Sequence, residues 1–231
     1  MTTLLLFDIA GTLVQTGGAG ARAMVRAFTD VCGFFNGLGS LSMAGRTDAW
    51  IIAQMFRAHG LEPTAERHQA VHDIYVQYLS AEILQPGPRK GVLPGVRQLL
   101  DTLASQDDAY LALLTGNVRR GAEIKLEHFD LWRYFATGAF GDESHDRNGL
   151  LWTAMASVEQ ACGLTVRPAD VVIIGDTPLD IAVAVAGGAR SVGVATGSYD
   201  VDTLLASGAD AAFPDLDDPE RVLAALRRPR Q

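Results

Sequence analysis

The chain has 231 residues, 48% of them hydrophobic and 20% charged, with 19 Lys and Arg against 27 Asp and Glu. That hydrophobic share excludes an intrinsically disordered chain, and a formal net charge of −8 argues against a broad basic footprint for nucleic acid or an anionic membrane. Cys32 and Cys162 are too few for a disulfide framework, lack metal-ligand spacing and read as buried free thiols.

In chain order, the first element is a short apolar run at residues 4–7, with the length and flanks of a buried strand. No basic segment precedes it and no stretch approaches the roughly 18 apolar residues of a membrane span, so a cytoplasmic protein without a membrane partner is expected. Helical spacing follows at 19–31, 48–59 and 65–84, with no convincing strand between. The breaker-rich run 85–91, Gln-Pro-Gly-Pro-Arg-Lys-Gly, then reads as a hinge or linker. Beyond it the pattern alternates: helix 96–105, strand 110–114, helices 120–129 and 151–162, strand 171–174, helix 179–186, strand 191–194, a weak strand 211–213 and a last helix 219–226. Such alternation predicts a parallel sheet covered on both faces, so the fold class is α/β, with a discontinuous core of residues 1–14 and 92–231 and a helical insert at 15–91.

Ligands in open parallel sheets bind beyond the carboxyl ends of the strands. Asp8-Ile9-Ala10-Gly11-Thr12 follows the first strand, Thr115-Gly116-Asn117 the second, and Gly175-Asp176-Thr177-Pro178-Leu179-Asp180 the third. Any one of these aspartates alone reads as a turn former or helix cap. Carboxylates gathered at one sheet edge repel one another, and they call for a hard cation with oxygen ligands, foremost Mg²⁺, which also bridges to phosphate.

The combination of an apolar run with Asp-x-x-Gly-Thr-Leu, then Leu-Leu-Thr-Gly-Asn, then Ile-Ile-Gly-Asp-x-x-x-Asp resembles the haloacid dehalogenase superfamily, in its phosphoglycolate-phosphatase-like branch, over essentially the whole chain. Val92-Leu93-Pro94-Gly95-Val96 and Gly45-Arg46-Thr47-Asp48 also look like that branch. The resemblance implies a Rossmann-like core with an inserted helical cap domain, and a phosphatase acting on a small phosphorylated metabolite. It implies Asp8 as nucleophile, forming an aspartyl-phosphate. Thr115 would hold the phosphoryl group with the backbone of Gly116 and with Asn117 beside it. Asp8, the carbonyl of Ala10, Asp176 and Asp180 would hold Mg²⁺, Asp180 directly or through water. The family's phosphate-neutralising cation falls by order on Arg147, since Lys125 precedes the expected place and Lys90 lies in the linker. Arg46 and Asp48 would reach the substrate from the cap, with a helix-start role for Thr47 or Asp48 as an equal reading.

One position departs from the pattern. Phosphatases of this family carry a second aspartate two residues after the nucleophile, as proton donor to the leaving group and later activator of water. Here it is Ala10. Three readings stay open: a phosphatase weakened by this alanine; a relative of phosphonoacetaldehyde hydrolases, which carry alanine there but need a cap lysine that residues 15–89 lack; and a non-catalytic binder of phosphorylated ligands. A dehalogenase fits least, because that branch has a bulky aromatic residue at this place.

Other signals carry less. Gly18-Ala19-Gly20 loosely matches a dinucleotide-binding loop, but it stands ten residues past the first strand without the acidic partner such a site uses, and reads as a hinge opening the first insert helix. His68 and His72 have zinc-compatible spacing but no third ligand, and read as helix-surface residues. Met24, Phe28, Trp50, Phe56, Tyr75 and Tyr78 read mainly as the insert's own core. The leaving group and the oligomeric state stay open.

Overall fold

The computed structural model describes residues 2–35, 42–142 and 147–227. Parts of the expected segments, namely residues 1, 36–41, 143–146 and 228–231, lie outside the described residues.

Along the chain the elements are β1 (Thr3–Phe7), β2 (Val14–Gln15), α1 (Ala19–Cys32), α2 (Asp48–Ala58), α3 (Ala65–Glu82), β3 (Gly91–Val92), α4 (Val96–Ala104), β4 (Ala109–Leu114) and α5 (Arg119–His128). Then follow β5 (Gly138–Ala139), α6 (Leu150–Cys162), β6 (Val171–Gly175), α7 (Pro178–Gly187), β7 (Arg190–Val194), α8 (Val201–Ala206), β8 (Ala211–Phe213) and α9 (Pro219–Arg227). Six strands form one parallel sheet in the order β5-β4-β1-β6-β7-β8, with β1 between β4 and β6.

The period of two along β1 explains the two covered faces. Leu5 and Phe7 pack with α4, α5 and α9 through Leu99, Leu100, Ala122, Leu126 and Val222. Leu4 and Leu6 pack on the opposite face with Leu150, Leu151 and Ala154 of α6 and Val183 of α7. A strand buried on both sides has to be apolar throughout, and β1 reads Thr-Leu-Leu-Leu-Phe.

Helices α1, α2 and α3 share a separate apolar core that includes Phe28, Ile52, Met55, Phe56, Val71, Tyr75 and Leu79. Val118 and Ile124 join it from the β4–α5 region, so this helical unit rests on one end of α5. Two crossings join it to the sheet, and they pair as a two-stranded antiparallel ribbon in which Val14 faces Val92 and Gln15 faces Gly91. Just beyond, Gly17 and Gly87 touch backbone to backbone, and a Cβ on Gly87 would collide with the Gly17 backbone. Arg22 ties the same place together, with Nε to Glu82 at 2.7 Å and Nη1 to the Gly17 carbonyl at 2.7 Å.

The thiols correct one expectation: Cys32 is half-buried and Cys162 exposed, because Cys162 ends α6 and its Sγ turns back to the Val158 carbonyl. Among the described residues, no helix is long and apolar enough to cross a membrane.

Candidate active site

β1 delivers Asp8 to the carboxyl edge of the sheet, where its N–H donates to the Ile174 carbonyl of β6 at 2.9 Å. The chain then turns sharply at Gly11, whose φ of +92° and whose contact with the Asp176 carboxylate leave no room for a side chain. Thr12 donates to Asp176 Oδ1 at 3.2 Å, tying the first loop to the third. Ala10, between them, is exposed and lines the cavity.

At the end of β4, Thr115 is fully buried and its hydroxyl accepts from the Asn117 side-chain amide at 2.7 Å. Asn117 Oδ1 in turn accepts from the Lys125 ammonium. Lys125 is buried on the inner face of α5 and lines the same cavity, although it precedes the place in chain order where the family's cation is expected. Its signal is helical spacing: it stands one turn after Gly121 and beside Ile124, both turned inward, so a lysine sat where the pattern calls for an apolar residue. Lys90, by contrast, is spent within the linker, on the carbonyls of Ile83 and Gln85.

After β6, Asp176 and Asp180 flank the start of α7. Thr177 and Asp180 form its capping box: Asp180 Oδ2 accepts from the Thr177 N–H at 3.1 Å and from its hydroxyl at 2.8 Å. Asp180 Oδ1 accepts from Arg147 Nη2, which also lies 3.6 Å from Asp8 Oδ1. Both oxygens of Asp180 thus have protein partners, which suits a role one step removed from a metal. Arg147 reaches the site from a 3-10 turn ahead of α6; its Nη1 donates to the Gly45 carbonyl at 2.8 Å, while its buried Nε has no partner among the described residues.

The helical unit closes over this floor through the segment before α2. Thr47 caps α2, its hydroxyl accepting from the Trp50 N–H at 3.1 Å. Asp48 bridges to the floor twice: its N–H donates to the Gly116 carbonyl at 2.7 Å, and its Oδ2 accepts from the Val118 N–H at 2.9 Å. Arg46 lines the cavity and lays its guanidinium over Trp50, 4.4 Å from the ring centre. Met24 and Tyr75 combine burial in the helical core with a place on the cavity wall. Gly18, left-handed at φ +82°, sits at the N-terminus of α1, and His72 Nδ1 lies 3.2 Å from Asp73.

The cavity holds about 340 Å³. Its floor is electrostatically loaded. Burial and the charge of Asp180 raise the Asp8 pKa to about 6, against the opposing pull of Arg147 and Thr115. Burial, Asp8 and Asp180 push Asp176 well above the ordinary carboxylate range. Asp8, Asp176 and Asp180 each offer a carboxylate oxygen, all within 4.8 Å of one another, and one guanidinium does not balance three carboxylates. A buried, all-oxygen donor set in charge deficit fits a hard divalent cation.

A parallel α/β sheet with buried aspartates at the carboxyl ends of its central strands defines a Rossmann-like fold with an acidic site. The chain belongs to the haloacid dehalogenase-like hydrolases, whose family model matches residues 2–188. The "Probable phosphatase IndB" of Dickeya dadantii (strain 3937) is 29% identical over 216 residues, 90% of this chain and 87% of that protein. Among solved structures, a predicted phosphoglycolate phosphatase from Haemophilus somnus 129PT superposes with a TM-score of 0.69 at 20% identity, covering 96% of this chain and 98% of its own. CbbY from Rhodobacter sphaeroides, solved with phosphate, gives 0.72 at 19% identity, over 94% and 96% of the two chains. At these identities the structures share the fold.

Proposed function

We propose that this hydrolase is a Mg²⁺-dependent phosphomonoesterase that acts on a small phosphorylated metabolite through a phosphorylated Asp8. The observation that carries the reading is the placement of Asp8: its carboxylate is buried 3.6 Å from the Arg147 guanidinium, beside Asp176, on a cavity of about 340 Å³. A carboxylate held there attacks phosphorus while Arg147, Thr115 and the backbone of Gly116 hold the phosphoryl oxygens. Arg147 is fixed by Asp180 and Gly45, so its charge is in place before substrate arrives. Asp8, the Ala10 carbonyl and Asp176 are the groups that would hold the metal, with Asp180 supporting from behind. The bound cation supplies charge neutralisation that lets an anionic nucleophile meet an anionic ester.

Residues 15–91 act as the cap over a core of 1–14 and 92–231. The β2–β3 ribbon is its hinge, and Asp48 is its latch to the phosphoryl-binding loop. Closing the cap excludes water that is not positioned for attack. Arg46, stacked on Trp50, stands at the cavity wall where the rest of the substrate lies.

The test is turnover of p-nitrophenyl phosphate and a panel of small phosphomonoesters with and without Mg²⁺. The expected result is metal-dependent hydrolysis that Asp8→Asn abolishes, with a phosphorylated Asp8 recovered after acid quench. If neither the wild type nor Ala10→Asp turns over any member of the panel, while orthophosphate still binds, the chain is a binder and the proposal fails.

A further inference from the structure

Among the described residues, Lys125 is the one buried charge on the cavity wall that the scheme above leaves without a task. It projects from the inner face of α5, and its Nζ bonds Asn117 Oδ1, one link beyond Thr115 and Gly116. On its other side the first turn of α1 runs close by: a Cβ on Gly20 would stand 3.5 Å from Nζ and 3.8 Å from the Tyr75 hydroxyl. Nζ therefore faces the cavity where floor and helical unit meet, on the side of the phosphoryl loop toward the cap. The charged groups acting on it are Asp48 from α2 and Asp8 from the end of β1, and Tyr75 of α3 lines the same cavity. Asp48 is already bonded to the Val118 N–H, and Asp8 is the nucleophile, so the ammonium's bonded protein acceptor is a neutral amide oxygen.

A phosphate ester's departing oxygen leaves on the side of phosphorus opposite the nucleophile, which here is the cap side. Ala10 has no proton to give it. Resting on the phosphatase reading above, we propose that Lys125 is the proton donor to the leaving-group oxygen, the function Ala10 lacks. In the first step Asp8 forms a bond to phosphorus, the bond from phosphorus to the ester oxygen breaks, and a proton passes from Lys125 Nζ to that oxygen, releasing a neutral alcohol and leaving a neutral amine. In the second step water attacks the phosphoryl group on Asp8, the bond from Asp8 to phosphorus breaks, and the amine takes the water's proton, so the lysine is restored. Burial lowers the lysine's affinity for its proton while Asp48 and Asp8 raise it, a balance that suits a group which must both give and regain one.

A good leaving group departs without a proton and a poor one does not, which makes the role measurable. With Mg²⁺ present, rapid-quench kinetics compares wild type and Lys125→Met on p-nitrophenyl phosphate and on a simple alkyl phosphate. The variant is expected to release its first equivalent of p-nitrophenolate within about threefold of the wild-type rate and to accumulate phosphorylated Asp8 in the mass spectrum. Its first step on the alkyl phosphate is expected to fall by about 10²-fold or more. Ala10→Asp in the Lys125→Met background is expected to restore alkyl phosphate turnover, which a merely unfolded site would not allow. Equal losses on both esters, or no loss on either, overturn the donor role while leaving the phosphatase reading standing. A borohydride-reduced adduct on Lys125 with phosphonoacetaldehyde would also overturn it, assigning the amine to imine formation instead. If the wild type itself shows no Asp8-dependent turnover, both readings fall together.

Discussion

Ala10 concentrates the chemistry of this site into one missing carboxyl group. Its side chain is exposed to the cavity, so a longer residue there enters open space rather than the core. Ala10→Asp is therefore expected to fold normally and to raise kcat on an alkyl phosphate about tenfold. The gain falls short of the 10²–10⁴ that a lone general acid contributes, because Lys125 already covers part of the task. Steady-state kinetics on the purified variant decides it, and an unchanged or lower kcat goes against the idea. Gly11 is the opposite case, a residue whose absent side chain is the requirement. Gly11→Ala would strain a left-handed turn and drive a methyl group into the Asp176 carboxylate. The expected cost is about 1–3 kcal/mol in urea unfolding, together with weaker Mg²⁺ affinity; wild-type values for both would contradict the geometry.

The α7 capping box joins stability to chemistry. Thr177 and Asp180 satisfy the first turn of the helix, and the same Asp180 holds Arg147 beside Asp8. Thr177→Ala is expected to cost about 1 kcal/mol of stability, as the loss of a cap does. It should also lower kcat, because Asp180 loses the hydroxyl that orients it. A variant that is destabilised but catalytically unchanged would show that the cap does not position Arg147. Helices of this kind were readable in advance, since the apolar spacing of α1 to α7 and the polar turns after β1, β4 and β6 are patterns within one segment. What escaped the sequence was either too short or tertiary. The ribbon strands β2 and β3 and the edge strand β5 have two residues each, too few to show alternation. The helical spacing of Lys125 marks it as turned inward, but its place on the cavity wall comes only from the packing of α5 against Tyr75 and Gly20, a contact no local pattern encodes. Arg147 was legible by order alone, because the turn that carries it leads directly into α6.

The acidic cluster also sets how the whole fold responds to pH and metal. Asp8 titrates near 6 in the folded chain against an ordinary value of 3.8, so the folded state binds its proton more tightly than the unfolded chain does. Stability attached to that proton is present below about pH 4 and is lost as pH rises to and beyond 6, on the order of 3 kcal/mol, with Asp176 adding in the same direction. Without metal, Asp8→Asn should therefore be more stable than the wild type at pH 8 and little different at pH 4, even as it abolishes turnover. A divalent cation reverses the balance, because it replaces the protons with charge that the carboxylates prefer ionised. Mg²⁺ at about 100 times its Kd is expected to stabilise the wild type by about 2.7 kcal/mol near pH 8, a shift of several degrees in Tm, and to do much less at pH 5, where protons compete for Asp8 and Asp176. Differential scanning fluorimetry across pH 5–8, with wild type and Asp8→Asn in parallel, measures both effects. A Mg²⁺ shift that stays constant over that range, or persists in full when Asp8 is neutralised, would place the cation away from this cluster.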